Sequence, residues 1–303
     1  MSSSAANSRS ARAKQIEKLV TTALLFCALV SIITTFGIIY VLISEGLVFF
    51  RHESLFGFLT GTVWTPLFEP RSFGVLPLVY GTVMVAAGAC FVAVPLGLGI
   101  AVFLSEYAPP GLRRLLKPVI ELLAGIPSVV FGYFALTTIT PTLRAILPGV
   151  EVFNAASASI VIGIMVLPLI ASLCDDVLRS VPDSLRNGGY ALGATKLEVI
   201  RDILFPAALS GILASFILAF SRAIGETMAV TLAAGSTPQI TLNPFDSIQT
   251  MTAYIAQTSM GDTPHGTIEY QSIFAVGIVL FFMTLAMNLL SFFIVKKFRR
   301  KYE

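Results

Sequence analysis

Six stretches of the chain stay apolar for about 20 residues or more, the length a helix needs to cross the hydrocarbon core of a bilayer. They run at approximately 19–44, 77–104, 118–142, 155–174, 205–235 and 272–295. The second and fifth exceed that minimum, so tilt, kinks or extension past the bilayer are expected. Pro95, Pro127 and Pro168 are the candidate kink positions. The pattern predicts an all-α integral membrane protein with a polar tail at 1–18, a transmembrane domain over 19–295 and a basic tail at 296–303.

Composition agrees, because 55% of the 303 residues are apolar and only 12% are charged, which lies outside the soluble globular range. The first apolar stretch lacks an Ala-x-Ala-like cleavage site and is too long for a signal-peptide core, so it reads as a first span. A net charge of +3 in scattered clusters gives no nucleic-acid surface. Cys27, Cys90 and Cys174 fall in no Cys-x-x-Cys spacing and read as buried free thiols. His52 and His265 are far apart with no third ligand beside them, so no metal site is expected.

The placement of basic residues gives an orientation. Sixteen of the twenty Lys and Arg fall in the N-terminal tail, the loops 105–117 and 175–204, and the C-terminus. The excess of positive charge on cytoplasmic segments puts those four inside and both termini in the cytoplasm. Arg51, Arg71 and Arg144 lie in the alternate segments and Arg222 inside a span. The segment 236–271 has no Lys or Arg and carries Asp246, Asp262 and Glu269, as an external loop can. The other external segment, 45–76, holds LFGFLTGTVWTPLFEP, read as a helix or loop anchored at the interface by its aromatics.

Among cytoplasmic segments the most informative is 180–206, SVPDSLRNGGYALGATKLEVIRDILFP. Ser180 with Asp183 and Thr195 with Glu198 are two capping-box patterns, and Gly193 between them ends the first helix. Helix, glycine turn, helix results, with Leu185, Tyr190 and Leu192 available to a partner outside the bilayer. From the residues alone a docking element and a plain connector both remain open.

The run Asn187 to Pro206 resembles the EAA loop of importer permeases of the ATP-binding-cassette (ABC) class, whose pattern is Glu-Ala-Ala, three residues, Gly, nine residues, Ile-x-Leu-Pro. Gly193, Ile203 and Pro206 match, while Asn187-Gly188-Gly189 stands for Glu-Ala-Ala and Phe205 for Leu. WTP near residue 64, FGVLPLVYGT at 73–82, PLGLGIAVFLSEYAP at 95–109, ELLAGIPSVVFG at 121–132 and RAIGETMAV at 222–230 narrow the resemblance to the phosphate-specific, PstC-type permeases. The resemblance covers nearly the whole chain from the first span. It implies the type I ABC importer fold with a cytoplasmic coupling helix, in which Arg186, Asn187, Gly188, Gly189, Gly193, Ala194 and Thr195 meet the ATPase. Its implied partners are a PstA-type sister permease, two copies of a cytoplasmic ATPase that bind ATP and Mg²⁺, and an external phosphate-binding protein. A bacterial inner-membrane location follows in the same way. This chain itself has no P-loop, since Gly188 to Gly193 is followed by Ala194 where a lysine is required. It is expected to hold no cofactor and to catalyse no reaction.

Arg222 and Glu226 put two charges inside the fifth apolar run, where each costs about 2.5 to 3.5 kcal/mol unless it meets a partner or water. On an unbroken helix they lie 40° apart on one face, with Ser215, Ala219, Gly225, Ala229 and Ala233 on or near it. Two readings follow. The pair neutralises itself and fixes packing, or it lines a path on which Arg222 offers its planar fork to phosphate while Glu226 either holds Arg222 and cancels its charge when the path is empty or accepts from a phosphate hydroxyl. Glu121 reads as a snorkelling or paired charge at the cytoplasmic end of the third span, and Gly125, Pro127 and Gly132 as a bend or close packing. Two rivals to the importer stay open: a proton-coupled secondary anion transporter with Glu226 as carrier, and a non-transporting scaffold or sensor.

Overall fold

A computed structural model describes residues 3–261 and 263–299; Asp262, Arg300 and Lys301 lie outside the described residues. In chain order the elements are α1 (Ser3–Phe49), α2 (Leu55–Thr60), the strand pair β1 (Trp64–Thr65) and β2 (Ser72–Phe73), α3 (Leu76–Val102), α4 (Pro110–Leu123), α5 (Ser128–Phe134), α6 (Thr140–Ile146) and α7 (Ala155–Arg179). Then follow α8 (Asp183–Ala191), α9 (Lys196–Glu198), α10 (Phe205–Ile224), α11 (Met228–Ala233), α12 (Met251–Met260) and α13 (Ile268–Arg299). Short π-helical segments at Phe103–Tyr107, Ala135–Ile139 and Val199–Leu204 continue α3, join α5 to α6 and lead into α10.

Among the described residues, six helical stretches are long and apolar enough to span a membrane: Ile16–Phe49, Leu76–Tyr107, Ser128–Ile146, Ala155–Arg179, Lys196–Ile224 and Ile268–Lys297. The chain is a multi-pass membrane protein. Helix α7 is the centre of the bundle, with 67% of its most apolar window buried, whereas none of that of α1 is. It faces α3 largely through short residues: Ala86, Ala89 and Ala93 sit in one core with Ala158, Gly163 packs on Ala89 and Val92 with no room for a Cβ, and Ser159 Oγ donates to the Val85 carbonyl at 3.3 Å. Small residues let two backbones approach, which is how helices associate where lipid offers no hydrophobic drive.

Several boundaries differ from those the apolar pattern draws. Residues 3–18, read as a polar tail, continue into α1 as one helix. The third span lies at Ser128–Ile146, because α4 is a separate helix whose Arg113 and Lys117 face α7, and the chain turns at Pro127 with extended ψ of 136°. Pro95 and Pro168, in contrast, sit inside α3 and α7 without ending them. The fifth span stops at Ile224. The segment 236–271 is more than an external loop: α12 packs into the bundle, with Met251, Ala253 and Tyr254 buried, and Met251 N donates to Thr82 Oγ1 at 3.0 Å. The cysteines are free, but Cys27 is exposed on α1 while Cys174 is buried.

The aromatic run near residue 64 also behaves differently from an interfacial anchor. Trp64 is 2% exposed and meets Phe58, Phe73 and Tyr254 edge to face, with centroids 6.3, 6.1 and 4.9 Å away. The β1–β2 hairpin folds this ring inward, so Phe49, Phe58, Phe73 and Trp64 form a second small core against α12 and α13. Part of the expectation holds, since Phe56 and Phe68 stay exposed.

Candidate functional site: a broken span and the α8–α9 hook

Helix α10 ends at Ile224, Gly225 closes it with φ −85° and ψ 0°, and α11 begins three residues later. Arg222 therefore belongs to the last turn of one helix and Glu226 to the link before the next. Glu226 Oε1 accepts from the Ala229 amide at 3.2 Å, and its own carbonyl accepts from Thr252 Oγ1 of α12 at 2.7 Å. Among the described residues no ion pair joins Glu226 to Arg222, so the i,i+4 pair expected on one continuous helix is not formed. The helix ends at Gly225, and the glutamate carboxylate turns to the Ala229 amide of α11 instead. Arg222 is exposed on the surface of this chain and Glu226 is half-buried.

The break lies at depth. Gly211 of α10 packs on Val177 of α7, and Arg222 is eleven residues further on, about 16 Å at 1.5 Å per residue. On the antiparallel α7 that level is near the middle of the span. Beside it Ser221 Oγ lies 3.3 Å from Asn288 Oδ1 of α13, which adds an exposed amide to the same zone. Neither Thr252 nor Asn288 stood out in the sequence. Asn288 had a signal, as an amide in the middle of the last apolar run.

Between α7 and α10, α8 and α9 form the expected hook. Gly193, at φ +84°, occupies the left-handed position that favours glycine. Gly193 N donates to the Tyr190 carbonyl at 3.0 Å and Ala194 N to the Gly189 carbonyl at 3.1 Å, the two bonds of a Schellman stop. Thr195 and Glu198 make the capping box that opens α9. Ser180 and Asp183 do not make theirs: Pro182 is the N-cap, Ser180 Oγ turns back to the Val177 carbonyl, and Asp183 binds Arg186.

The seven coupling candidates separate into two groups. Asn187, Gly188, Gly193 and Thr195 are exposed, beside Leu192 at 91% and Leu197 at 67% exposure. Gly189 is buried against Val199 and Ile203, and Ala194 is half-buried against the core. Arg186 turns inward. Its Nη2 reaches Glu106 Oε1 at 3.2 Å and the Leu178 carbonyl at 2.7 Å, and its Nη1 reaches the Val181 carbonyl at 2.7 Å.

Residues 93–303 match the family described as the binding-protein-dependent transport system inner membrane component. The chain belongs to this family of permeases. It is 37% identical to the probable ABC transporter permease protein YqgH of Bacillus subtilis strain 168, over 87% of this chain and 86% of that one. With the phosphate transport system permease protein PstC of Mesorhizobium japonicum it shares 37% identity over 76% and 75%. With PstC of Xylella fastidiosa strain 9a5c it shares 33% over 97% and 94%. In fold it is similar to a bacterial alginate ABC transporter, with TM-score 0.62 at 16% identity over 88% of this chain and 92% of that one. The methionine ABC transporter MetNI in an inward-facing conformation gives 0.58 at 18%, over 77% and 99%.

A charged cluster absent from the sequence analysis joins α4 to α7. Asp175 of α7 is fully buried, and its Oδ2 accepts from Arg113 Nη2 at 2.7 Å and Lys117 Nζ at 3.1 Å, both on α4. Lys117 also reaches Asp176 at 2.7 Å. Burial depresses the Lys117 pKa, and the bonds to Asp176 and Asp175 more than reverse this, so its ammonium is held above its ordinary value. Glu121 of the same helix lies 3.4 Å from Ser172 Oγ, a terminal acid with a polar neighbour. A signal was present: Arg113 and Lys117 are four apart on a helix that faces an acidic doublet at the end of a span.

Proposed function

We propose that this permease forms half of the translocation path of an ATP-driven importer of inorganic phosphate in the bacterial inner membrane, with both termini in the cytoplasm. One observation carries the reading: an exposed arginine sits at a mid-bilayer helix break, in a chain 37% identical to a phosphate permease. Among side chains, guanidinium is the one best shaped to hold two phosphate oxygens at once. A charge left exposed at that depth needs a polar setting, and a PstA-type sister permease facing Arg222 across a water-filled path would supply it. Hydrolysis of ATP with Mg²⁺ belongs to a separate chain, two copies of which dock beneath the two permeases; this chain needs no cofactor of its own. The exposed part of the hook, Asn187, Gly188, Gly193, Thr195 and the neighbouring Leu192 and Leu197, is the surface offered to the ATPase. An external phosphate-binding protein delivers the anion. Among the described residues Glu226 Oε1 accepts from the Ala229 amide and Oε2 has no partner, so the acid can still accept from a phosphate hydroxyl, which sulfate lacks at neutral pH.

The test is ATP-dependent uptake of labelled phosphate by the assembled complex carrying Arg222→Gln, with co-purification of the ATPase measured alongside. Loss of uptake in an intact complex is expected. Undiminished uptake would make Arg222 a surface charge with no part in the path.

A further inference from the structure

Arg186 is the residue of the hook that bonds most extensively to the rest of the chain. Its side chain is only 15% exposed although it sits in a cytoplasmic segment, and the side chain of its partner Glu106 is 7% exposed. Nη2 donates to the Leu178 carbonyl in the last turn of α7 and to Glu106 in the π-helical end of α3, and Nη1 donates to the Val181 carbonyl just past α7 and to Asp183 on its own helix. Three elements thus meet at one group. A second contact joins the same two regions independently, since Lys196 Nζ of α9 stands 4.5 Å above the ring of Tyr107, the residue after Glu106.

We propose that Arg186 is a positioning residue that fastens the hook to the paired α3 and α7 spans, with Glu106 as its principal anchor and Lys196 on Tyr107 as a weaker brace. The proposal rests on the importer reading above and goes beyond it by naming the internal joint through which the hook moves the bundle. Its logic is mechanical. Helix α8 has nine residues, three of the last six positions through Gly193 are glycine, and so short a helix has little rigidity of its own. A push delivered to Leu192 or Asn187 would be lost in bending unless the helix is tied down near its start. Arg186 ties it there to α7 and to a π-helical turn, a form of helix frequent at functional sites. From this joint the push reaches the α3–α7 pair as one body, and α10 follows through its own packing on both.

The experiment measures labelled phosphate taken up per ATP hydrolysed by reconstituted wild-type, Arg186→Gln, Glu106→Gln and doubly substituted complexes, with the external binding protein present. The expected result is a fall of about tenfold in that ratio for each single variant, within the range usual for coupling between sites. The double variant should be no worse than either single one, because the partners act as one joint. Arg186→Lys, which keeps the charge but not the fork, should restore only part of the ratio. A ratio equal to wild type in Glu106→Gln, or strictly additive losses in the double variant, would overturn the joint. A wild-type complex that hydrolyses ATP without accumulating phosphate would instead overturn the transport reading. If Arg186→Gln fails to assemble, the Glu106→Gln and Arg186→Lys ratios decide the matter alone.

Discussion

Glu226 accepts a hydrogen bond from the Ala229 amide at 3.2 Å, and this bond makes it part of the start of α11, separate from the helix that carries Arg222. Two charges four residues apart therefore answer to different elements. An acid at a helix N-terminus is favoured by the unpaired amides and the helix dipole there, so Glu226 is held without needing the arginine. The guanidinium of Arg222 remains available to an anion.

Separating the two roles of Glu226 takes two substitutions. Glu226→Gln keeps an acceptor for the Ala229 amide and should leave the thermal unfolding midpoint close to that of the wild type. Glu226→Ala removes the cap and should destabilise by about 1 kcal/mol. If the acid also reads a phosphate hydroxyl, Glu226→Gln narrows the preference for phosphate over sulfate, measured by competition for uptake. An unchanged preference would leave Glu226 as a cap alone.

Arg222→Lys retains the positive charge and loses the planar fork. Uptake at low phosphate should fall by about tenfold, a loss of about 1.4 kcal/mol, and remain above that of Arg222→Gln. Equal uptake in the two variants would mean that charge at this position contributes nothing and that the fork is the whole of its role.

The Schellman stop makes a graded prediction. Gly193→Ala must hold a Cβ in the left-handed region, at a cost of about 1 to 2 kcal/mol, and should weaken uptake modestly. Gly193→Pro cannot reach φ +84° and loses the amide that bonds Tyr190. It should abolish ATP-driven uptake while membrane insertion, followed by fractionation, stays intact. Normal uptake in that variant would remove the hook from the coupling mechanism.

What the sequence made legible was local. Gly193 and the Thr195–Glu198 box were readable because each depends on residues within one turn, and the six spans because a bilayer demands a continuous apolar run. The face shared by Arg222 and Glu226 was misread because a 100° projection assumes an unbroken helix. Gly225-Glu226-Thr227 held the warning, a stop residue followed by residues that open helices. Trp64 and Arg186 were misplaced for another reason. Their burial depends on Tyr254 and Glu106, 190 and 80 positions away, and no local pattern reports such contacts.

Asp175 supplies the last test, because its surroundings decide a sign. Its carboxylate is fully buried with Oδ1 lacking a hydrogen-bond partner among the described residues, while Arg113 and Lys117 are each about a quarter exposed. Removing the acid by Asp175→Ala strands two cations against α7 and should destabilise by about 3 kcal/mol, the low end for a broken buried pair because water still reaches the cations. Replacing the cations is milder for each alone, since either Arg113→Met or Lys117→Met leaves the other on Oδ2. Lys117 carries its own pH signature. Its pKa is raised in the folded chain, so its contribution is fully present below its ordinary value near pH 10 and is lost only as pH rises through the higher folded value. Thermal unfolding of wild type and Lys117→Met should therefore differ by a constant amount between pH 6 and 9. A gap that closes within that window would mean that the ammonium gives up its proton below its ordinary value, with burial outweighing the two aspartates.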